Sequence, residues 1–443
     1  MLLKTMSASA RACAAGMFGL ALAMNCAHAT PYLVVDAASG HTLIENQATL
    51  PWYPASLTKL MTTYVALDAV KQGRLTMDTP LTMSFRAARM PASKMGFEPG
   101  TEVTLDNALK MLMVKSPNDV AVMVAESISG SVESFADEMN ATAAKLGMRE
   151  SHFVNPNGLH DPEHVSSARD MALVARALLE EFPEHVDLFS IGALQLDGIV
   201  IANHNGLLGH YAGADGMKTG FTCSSGFNVV ASATRDGRKL IAVVLGAPTV
   251  HMRTLETAQL LERGFNQTDA GPQLAELPRA QETKPRDMRP DICSRRSAAA
   301  IEAAEEEVFA PPKAVPAPVA ANGRGRGQQA PTPAETIASA EELLTRANPH
   351  FDPVPVFVGA KPGWSGPVLA AKPTPAAPPA AASAYSADKP AEAQSAPLAL
   401  QGAVKPPEAP KKVAAKPPEP KHYRVAARPR PKAAKPAKSK NDD

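Results

Sequence analysis

The stretch Pro54-Ala-Ser-Leu-Thr-Lys-Leu-Met-Thr-Thr-Tyr-Val-Ala-Leu67 decides the reading of this chain. Ser56 and Lys59 stand three residues apart, one helical turn, so the Lys59 ammonium can reach the Ser56 hydroxyl. A serine hydroxyl becomes a useful nucleophile only when a base takes its proton, and a lysine serves if burial and neighbouring cations lower its pKa. Leu57, Leu60, Met61, Tyr64, Val65 and Leu67 predict a deeply buried helix, which is what a lysine base needs. Ser-x-x-Lys by itself is a weak motif, and Ser386-Ala-Asp-Lys389 repeats it in a Pro/Ala-rich stretch where no packed site is expected.

Outward from that helix the chain divides in two. Its 443 residues include 41 prolines and only 5% aromatics, which does not suit one continuous core. Up to about Gln267 the sequence is rich in Leu, Val and Met with clear periodicity, whereas residues 310–443 are dominated by Pro, Ala and Lys and are expected to be disordered. Glu335–Arg346 could form a short helix there, and Val354-Pro-Val-Phe-Val358 is an apolar patch. A net charge of +1 creates no overall field for nucleic acid. The basic end, with twelve Lys/Arg against four Asp/Glu from Lys405 on, is either a solvated linker or a weak contact for anionic wall polymer or membrane surface.

Residues 1–29 carry Lys4 and Arg11, the apolar run Ala14–Met24 and Ala27-His-Ala29, the pattern of an export signal, with a run too short to span a bilayer. Removing it takes Cys13 and Cys26 away and leaves Cys223 and Cys293, which form one disulfide or remain two free thiols. The folded unit is expected over 30–270, with a linker over 271–309. Tyr32–Asp36 and His41–Glu45 read as a hairpin. The stretch 103–114 begins as strand and becomes helix with Asp106 as N-cap; helices follow at 119–126, at 132–146 and at 167–180, then strands at 194–202, 226–234 and 239–246, and a closing helix over 251–265. That order is α+β, an antiparallel sheet flanked by helices.

Two further stretches carry chemistry. Lys115-Ser116-Pro117-Asn118 is a polar turn between apolar helical runs, and buried polar groups need partners; Ser116 and Asn118 aimed at Ser56 and Lys59 would supply them. Asp215-Gly-Met-Lys218-Thr219-Gly220-Phe221-Thr222 places a lysine and a hydroxyl before a glycine, whose missing side chain lets a substrate backbone lie along a strand edge.

Ser-x-x-Lys, then Ser-x-Asn, then Lys-Thr-Gly, in that order, is the set of the penicillin-interacting serine enzymes. With Met139-Asn140, Leu146-Gly-Met148, Phe153-Val-Asn-Pro-Asn-Gly-Leu159 and Asn228-Val-Val-Ala-Ser232, the chain from Pro31 to Phe265 resembles the low-molecular-weight penicillin-binding proteins, the serine-type D-alanyl-D-alanine carboxypeptidases. The resemblance implies a β-lactamase/D,D-transpeptidase-like fold and a periplasmic enzyme that trims peptidoglycan stem peptides and is acylated by β-lactams. It implies Ser56 as nucleophile, Lys59 as base, Ser116 as proton relay, and Asn118, Lys218, Thr219, Gly220 and Phe221 as substrate-binding residues, the Ser56 and Phe221 N–H groups forming the oxyanion hole. No cofactor and no metal are implied. Pro117 stands where many members have glycine, and the β-rich second domain and amphipathic anchor of many members are not legible here.

Rival readings share parts of this pattern. A D,D-endopeptidase would use the same nucleophile. A β-lactamase adds a deacylating glutamate, and no Glu-x-x-Leu-Asn segment lies between Asn118 and Lys218. His160-Asp-Pro-Glu-His164 matches an inverted zinc-peptidase motif, but Pro162 opposes the helix that would bring both histidines to one face. A wall-binding protein without catalysis is the fourth reading.

Overall fold

The apolar hairpin and the late strands meet in one sheet. In the computed structural model, which describes residues 30–293, 342–344 and 351–371, β1 (Tyr32–Asp36), β2 (Thr42–Asn46), β7 (Ala214–Thr222), β8 (Gly226–Arg235) and β9 (Arg238–Ala247) form an antiparallel sheet in the order β2-β1-β9-β8-β7. Successive residues of β8 and β9 are buried, and side chains alternate between faces, so both faces of the central strands are covered. Helices α6 (Ala168–Glu181) and α7 (Val250–Phe265) both pack on β9. β7 is an edge strand and carries the Lys-Thr-Gly triplet within the strand rather than in a loop between strands.

The helical part is built around α1 (Thr58–Lys71), buried at eleven of its fourteen residues, so it is covered nearly all round rather than along one stripe, with Thr58, Lys59, Thr62 and Thr63 buried beside its apolar residues. The expected helix start at Ser56 is a 3₁₀ turn, Ala55–Leu57, leading into α1. β3 (Pro80–Thr82) and the short α2 (Phe85–Ala88) are followed by β4 (Glu102–Thr104), which runs straight into α3 (Leu105–Val114). The N-cap of α3 is Thr104, whose hydroxyl accepts from Asn107 N–H at 3.3 Å; Asp106 lies inside the first turn and not at the cap. After Pro117 come α4 (Asn118–Ser129) and α5 (Val132–Lys145), with Gly147 beyond α5 in the left-handed region at φ +72°. The single strand expected over 194–202 is a hairpin, β5 (Ala193–Leu196) and β6 (Ile199–Ala202), turned at Asp197-Gly198.

Two expected boundaries are corrected. The stretch 271–293, read as linker, folds onto the sheet: Thr42 N–H donates to Pro272 O, the Arg169 Nε–H to Leu274 O and the Thr49 hydroxyl to Pro278 O. It ends in α8 (Arg289–Ile292) and at Cys293, disulfide-bonded to Cys223 in the β7–β8 turn. Within the stretch read as a disordered tail, 351–371 is docked. Its strand β10 (Val354–Pro355) pairs in parallel with β5, and Leu369 pairs with Leu81 of β3. Backbone hydrogen bonding and an apolar patch outweighed local composition there. The export signal over 1–29 and the basic end from Lys405 lie outside the described residues.

Candidate active site

Three stretches far apart in sequence converge on Lys59. Its ammonium nitrogen lies 3.0 Å from Ser56 Oγ, 2.9 Å from Asn118 Oδ1 and 2.7 Å from the Asn157 carbonyl oxygen. Lys59 is fully buried, and burial holds its pKa well below the usual ammonium range; the nearby Lys218 charge adds to this and Asp119 opposes it. Its three close partners are neutral, so the surroundings do little to retain a charge.

Ser56 is presented by a strained turn. Ala55 before it has φ +49°, a region in which non-glycine residues are uncommon. The approach to the turn is fixed by Asn228, fully buried in β8, whose amide donates to Tyr53 O at 3.0 Å and Pro54 O at 3.1 Å while its oxygen accepts from Gly246 N–H at 2.8 Å. From the other side, a Cβ on Gly220 would lie 3.0 Å from Pro54 O and from Ser56 N and 3.1 Å from Leu57 N. The bare face of this glycine therefore meets the backbone of the turn that carries Ser56. Sequence reasoning assigned that space to a substrate.

The Lys115–Asn118 turn reaches the site through Asn118 rather than through Ser116. Asn118 Oδ1 takes Lys59, and its Nδ2 donates to Pro91 O and Ala92 O at 3.1 and 3.2 Å, so its amide holds Lys59 and a neighbouring loop at once. Asp119 continues the clamp, accepting from Met95 N–H and Gly96 N–H. Ser116 sits at φ +61°, and its hydroxyl is buried without a hydrogen-bond partner. The direct Ser116–Lys59 contact expected from sequence is not made, and a buried hydroxyl in that state is ready for an incoming group.

On the opposite wall, Lys218 and Thr219 are nearly buried on β7, and the Lys218 Nζ donates to Thr219 O at 2.8 Å. Phe221 stacks on Phe227 with ring centroids 4.2 Å apart. Behind Lys59, His164 is buried: Val154 N–H donates to its Nδ1 at 3.1 Å, so the proton belongs on Nε2, 2.7 Å from Thr58 Oγ1. Burial lowers its pKa to about 3, with smaller contributions from His152, His160 and Lys59. His160 instead packs edge-on against Tyr53, so the two histidines of the zinc-like motif serve different neighbours.

Sequence reasoning missed Asn157, Asn228 and His164 as parts of the site. Asn157 and Asn228 lie in stretches that carry the resemblance and His164 in the zinc-like motif, yet none of these patterns says what the residue holds, and Asn157 acts through its main chain, which no side-chain motif can reveal.

The chain is similar to known proteins in sequence and fold. The family model described as D-alanyl-D-alanine carboxypeptidase matches residues 21–249. D-alanyl-D-alanine carboxypeptidase DacA of Haemophilus influenzae is 39% identical over 242 residues, 54% of this chain and 62% of that protein. DacC of Escherichia coli is 38% identical over 244 residues, 54% of this chain and 61% of that protein. The chain thus spans less than two thirds of these relatives' length. Penicillin-binding protein 5 of H. influenzae (TM-score 0.52, 38% identity) covers 54% of this chain with 71% of its own. Penicillin-binding protein 6B of E. coli (TM-score 0.52, 36% identity) does so with 77%. A family match over half the chain, spanning the stretches that bring Ser56, the buried Lys59 and the Lys-Thr-Gly edge strand within reach of one another, makes this chain a member of the D-alanyl-D-alanine carboxypeptidase family.

Proposed function

We propose that the protein is a serine-type D-Ala-D-Ala carboxypeptidase that removes the terminal D-alanine from peptidoglycan stem peptides through an acyl-enzyme on Ser56. The observation that carries this reading is the buried Lys59 nitrogen with two acceptor-only partners, Asn118 Oδ1 and Asn157 O, beside the Ser56 hydroxyl. A neutral amine in that setting spends both its N–H donors on the two oxygens. Its lone pair then faces the Ser56 hydroxyl proton.

In the resulting step Ser56 Oγ attacks the carbonyl carbon of the penultimate D-alanine as its proton passes to Lys59. The tetrahedral oxyanion lies between the Ser56 and Phe221 N–H groups. Collapse breaks the peptide bond, and the proton reaches the leaving amine through Ser116, whose hydroxyl has no other partner. Water then hydrolyses the ester. Lys218 and Thr219 hold the free terminal carboxylate by a charge-assisted bond, and Gly220 lets the nucleophile's turn sit close behind them. Asn118, whose amide is taken up by Lys59, Pro91 O and Ala92 O, fixes the base and the neighbouring loop rather than binding the substrate backbone directly. β-Lactams acylate the same Ser56 and are covalent inhibitors. Export to the periplasm through residues 1–29, and a weak contact of the basic end with anionic wall or membrane surface, complete the reading.

The test is incubation of the purified protein with a pentapeptide, its C-terminal amide and a crosslinked dimer, followed by mass spectrometry, beside fluorescent penicillin labelling. Release of D-alanine from the free acid alone, with labelling lost in Ser56→Ala, supports the reading. Equal cleavage of acid and amide overturns the role of Lys218, cleavage of the dimer moves the activity to an endopeptidase, and rapid penicillin turnover moves it to a β-lactamase.

A further inference from the structure

Residues 351–371 touch the fold at a series of points that serve two different parts of it. At the start, the Phe351 ring lies against Gly192, 2.2 Å from where a Cβ on that glycine would be. β10 then extends the β5–β6 hairpin as a third strand, with Val356 N–H donating to Gln195 O at 2.9 Å. The chain crosses to α3 and β4, where Asn107 Nδ2 donates to Phe357 O at 3.1 Å and Gly359 N–H to Glu102 O. Lys361 pairs with Asp78 at 3.0 Å on the surface. At the far end Leu369 N–H donates to Pro80 O and Thr82 N–H to Leu369 O, both at 2.8 Å, with the Ser127 hydroxyl of α4 on the same oxygen.

The two anchorages lead to opposite walls of the cleft. On the β5 side, Asn205, just past the hairpin, donates to Gly216 O at 2.9 Å, two residues before Lys218, and Phe189, just before it, packs on Gly216. On the other side, β4 continues into α3, which ends at the Ser116 turn, and α4 begins at Asn118. Lys218 and Ser116 lie on chain segments a hundred residues apart, and the strap adds backbone hydrogen bonds to both supports.

We infer that residues 351–371 are a strand docked in cis that fixes the spacing of the two cleft walls, making this part of the C-terminal region a positioning element of the active site. An extended chain adding to a free sheet edge is a common recognition mode, with main-chain hydrogen bonds giving affinity and pockets such as the one at Gly192 giving register. Small errors in the placement of reacting groups cost large factors in rate. The acylation readout rests on the function proposed above; the docking does not.

The test uses the full-length chain. Gly192→Ala drives a methyl into the Phe351 ring, Val356→Pro removes the N–H given to Gln195, and Val356→Ile keeps that N–H as the conservative control. Hydrogen exchange at the Thr82 and Gly359 amides reports docking, and the fluorescent-penicillin acylation rate at 25 °C reports the cleft. The first two variants should speed exchange at those amides and slow acylation, each by about tenfold, given the sensitivity of rate to placement, while Val356→Ile stays within about twofold of wild type. Faster exchange with unchanged acylation overturns the inference, and so does unchanged exchange in both disrupting variants. A wild-type chain that penicillin does not label overturns the functional reading instead. Exchange at the Ser116 and Met217 amides then decides whether releasing the strap loosens both walls, and if it does not the inference falls with it.

Discussion

Single residues at this site are tuned by what surrounds them more than by their own type. Lys59 has its charge disfavoured first by burial and then by Lys218, so its deprotonated form is populated at lower pH than for an ordinary lysine. The rate of penicillin acylation should therefore rise with pH and level off well below pH 10.5. Lys59→Arg should abolish it, because a guanidinium cannot give up its proton. A plateau reached only near pH 10.5, or an active arginine variant, would remove Lys59 from the role of base. Gly220 makes a second case. A methyl there meets backbone atoms of Pro54, Ser56 and Leu57 that have no flexible end to swing away. Gly220→Ala should slow acylation by about tenfold, because those backbone atoms must give way by a few tenths of an ångström, while the circular dichroism spectrum stays that of the wild type. The residues assigned to the proposed chemistry, Ser56, Lys59, Asn118, Lys218, Thr219 and Gly220, are legible because each lies in a short motif. Their geometry was not: the partner of Lys59 on the third side is a main-chain oxygen, and the space beside Gly220 belongs to the protein.

The elements that hold these residues were read with uneven success, and the pattern of misses has a physical basis. The hairpin β1–β2, the long helices and the strands β8 and β9 follow from periodicity and turn chemistry, whereas the one-turn helices α2 and α8 carry no such period. The cap of α3 was misplaced by two residues because Thr104 and Asp106 are both good capping types and only the backbone conformation chooses between them. β5 and β6 merged into one strand because their two-residue turn, Asp197-Gly198, interrupts an apolar run only briefly. The loop Val154–His164 carries no regular structure, yet it is the rear wall of the site: Asn157 O takes Lys59, Pro156 O accepts the Thr62 hydroxyl at 2.6 Å, and His164 closes onto Thr58. His164 must stay neutral to keep accepting from Val154 N–H. Between pH 6.5 and about 3 the unfolded chain binds a proton that folded His164 refuses, so His164 makes the fold less stable as pH falls through that window. Asp170, raised to about 6 chiefly by burial, has the opposite sign between its ordinary value and 6 and partly offsets this. Comparing wild type with His164→Gln cancels the offset. The variant should melt below wild type at pH 7, having lost a well-placed buried pair, and the gap should narrow steadily down to pH 4. A gap that widens on acidification would show that His164 is charged in the fold.

At the scale of the whole molecule the sequence misled most, because composition is a local property and docking is not. Proline and alanine dominate after residue 310, yet 351–371 finds two free sheet edges, and 271–293 finds the rim of the main sheet. The Cys223–Cys293 bond fastens that second stretch across 70 residues, from the β7–β8 turn to α8. Between them Met288 N–H donates to Ser224 O at 2.9 Å and the Arg289 Nε–H to Ser224 Oγ at 2.7 Å, so the crosslink closes a segment that is already seated. Closing a loop of that length removes unfolded-state entropy worth about 4 kcal/mol in the chain-entropy model, with less usually realised. The Cys223→Ser/Cys293→Ser variant, or wild type under reducing conditions, should then melt roughly 5–10 °C lower, since each kcal/mol shifts a domain of this size by a few degrees. Acylation of Ser56 at 25 °C should persist. The disulfide sits at the β7–β8 turn, beyond Phe221, and the contacts that place Ser56 and Lys218 come from Asn228, Gly220 and Asn205 instead. Loss of labelling at a temperature where the reduced protein is still folded would mean that the crosslink reaches the cleft itself, through the strand that carries Lys218 and Thr219.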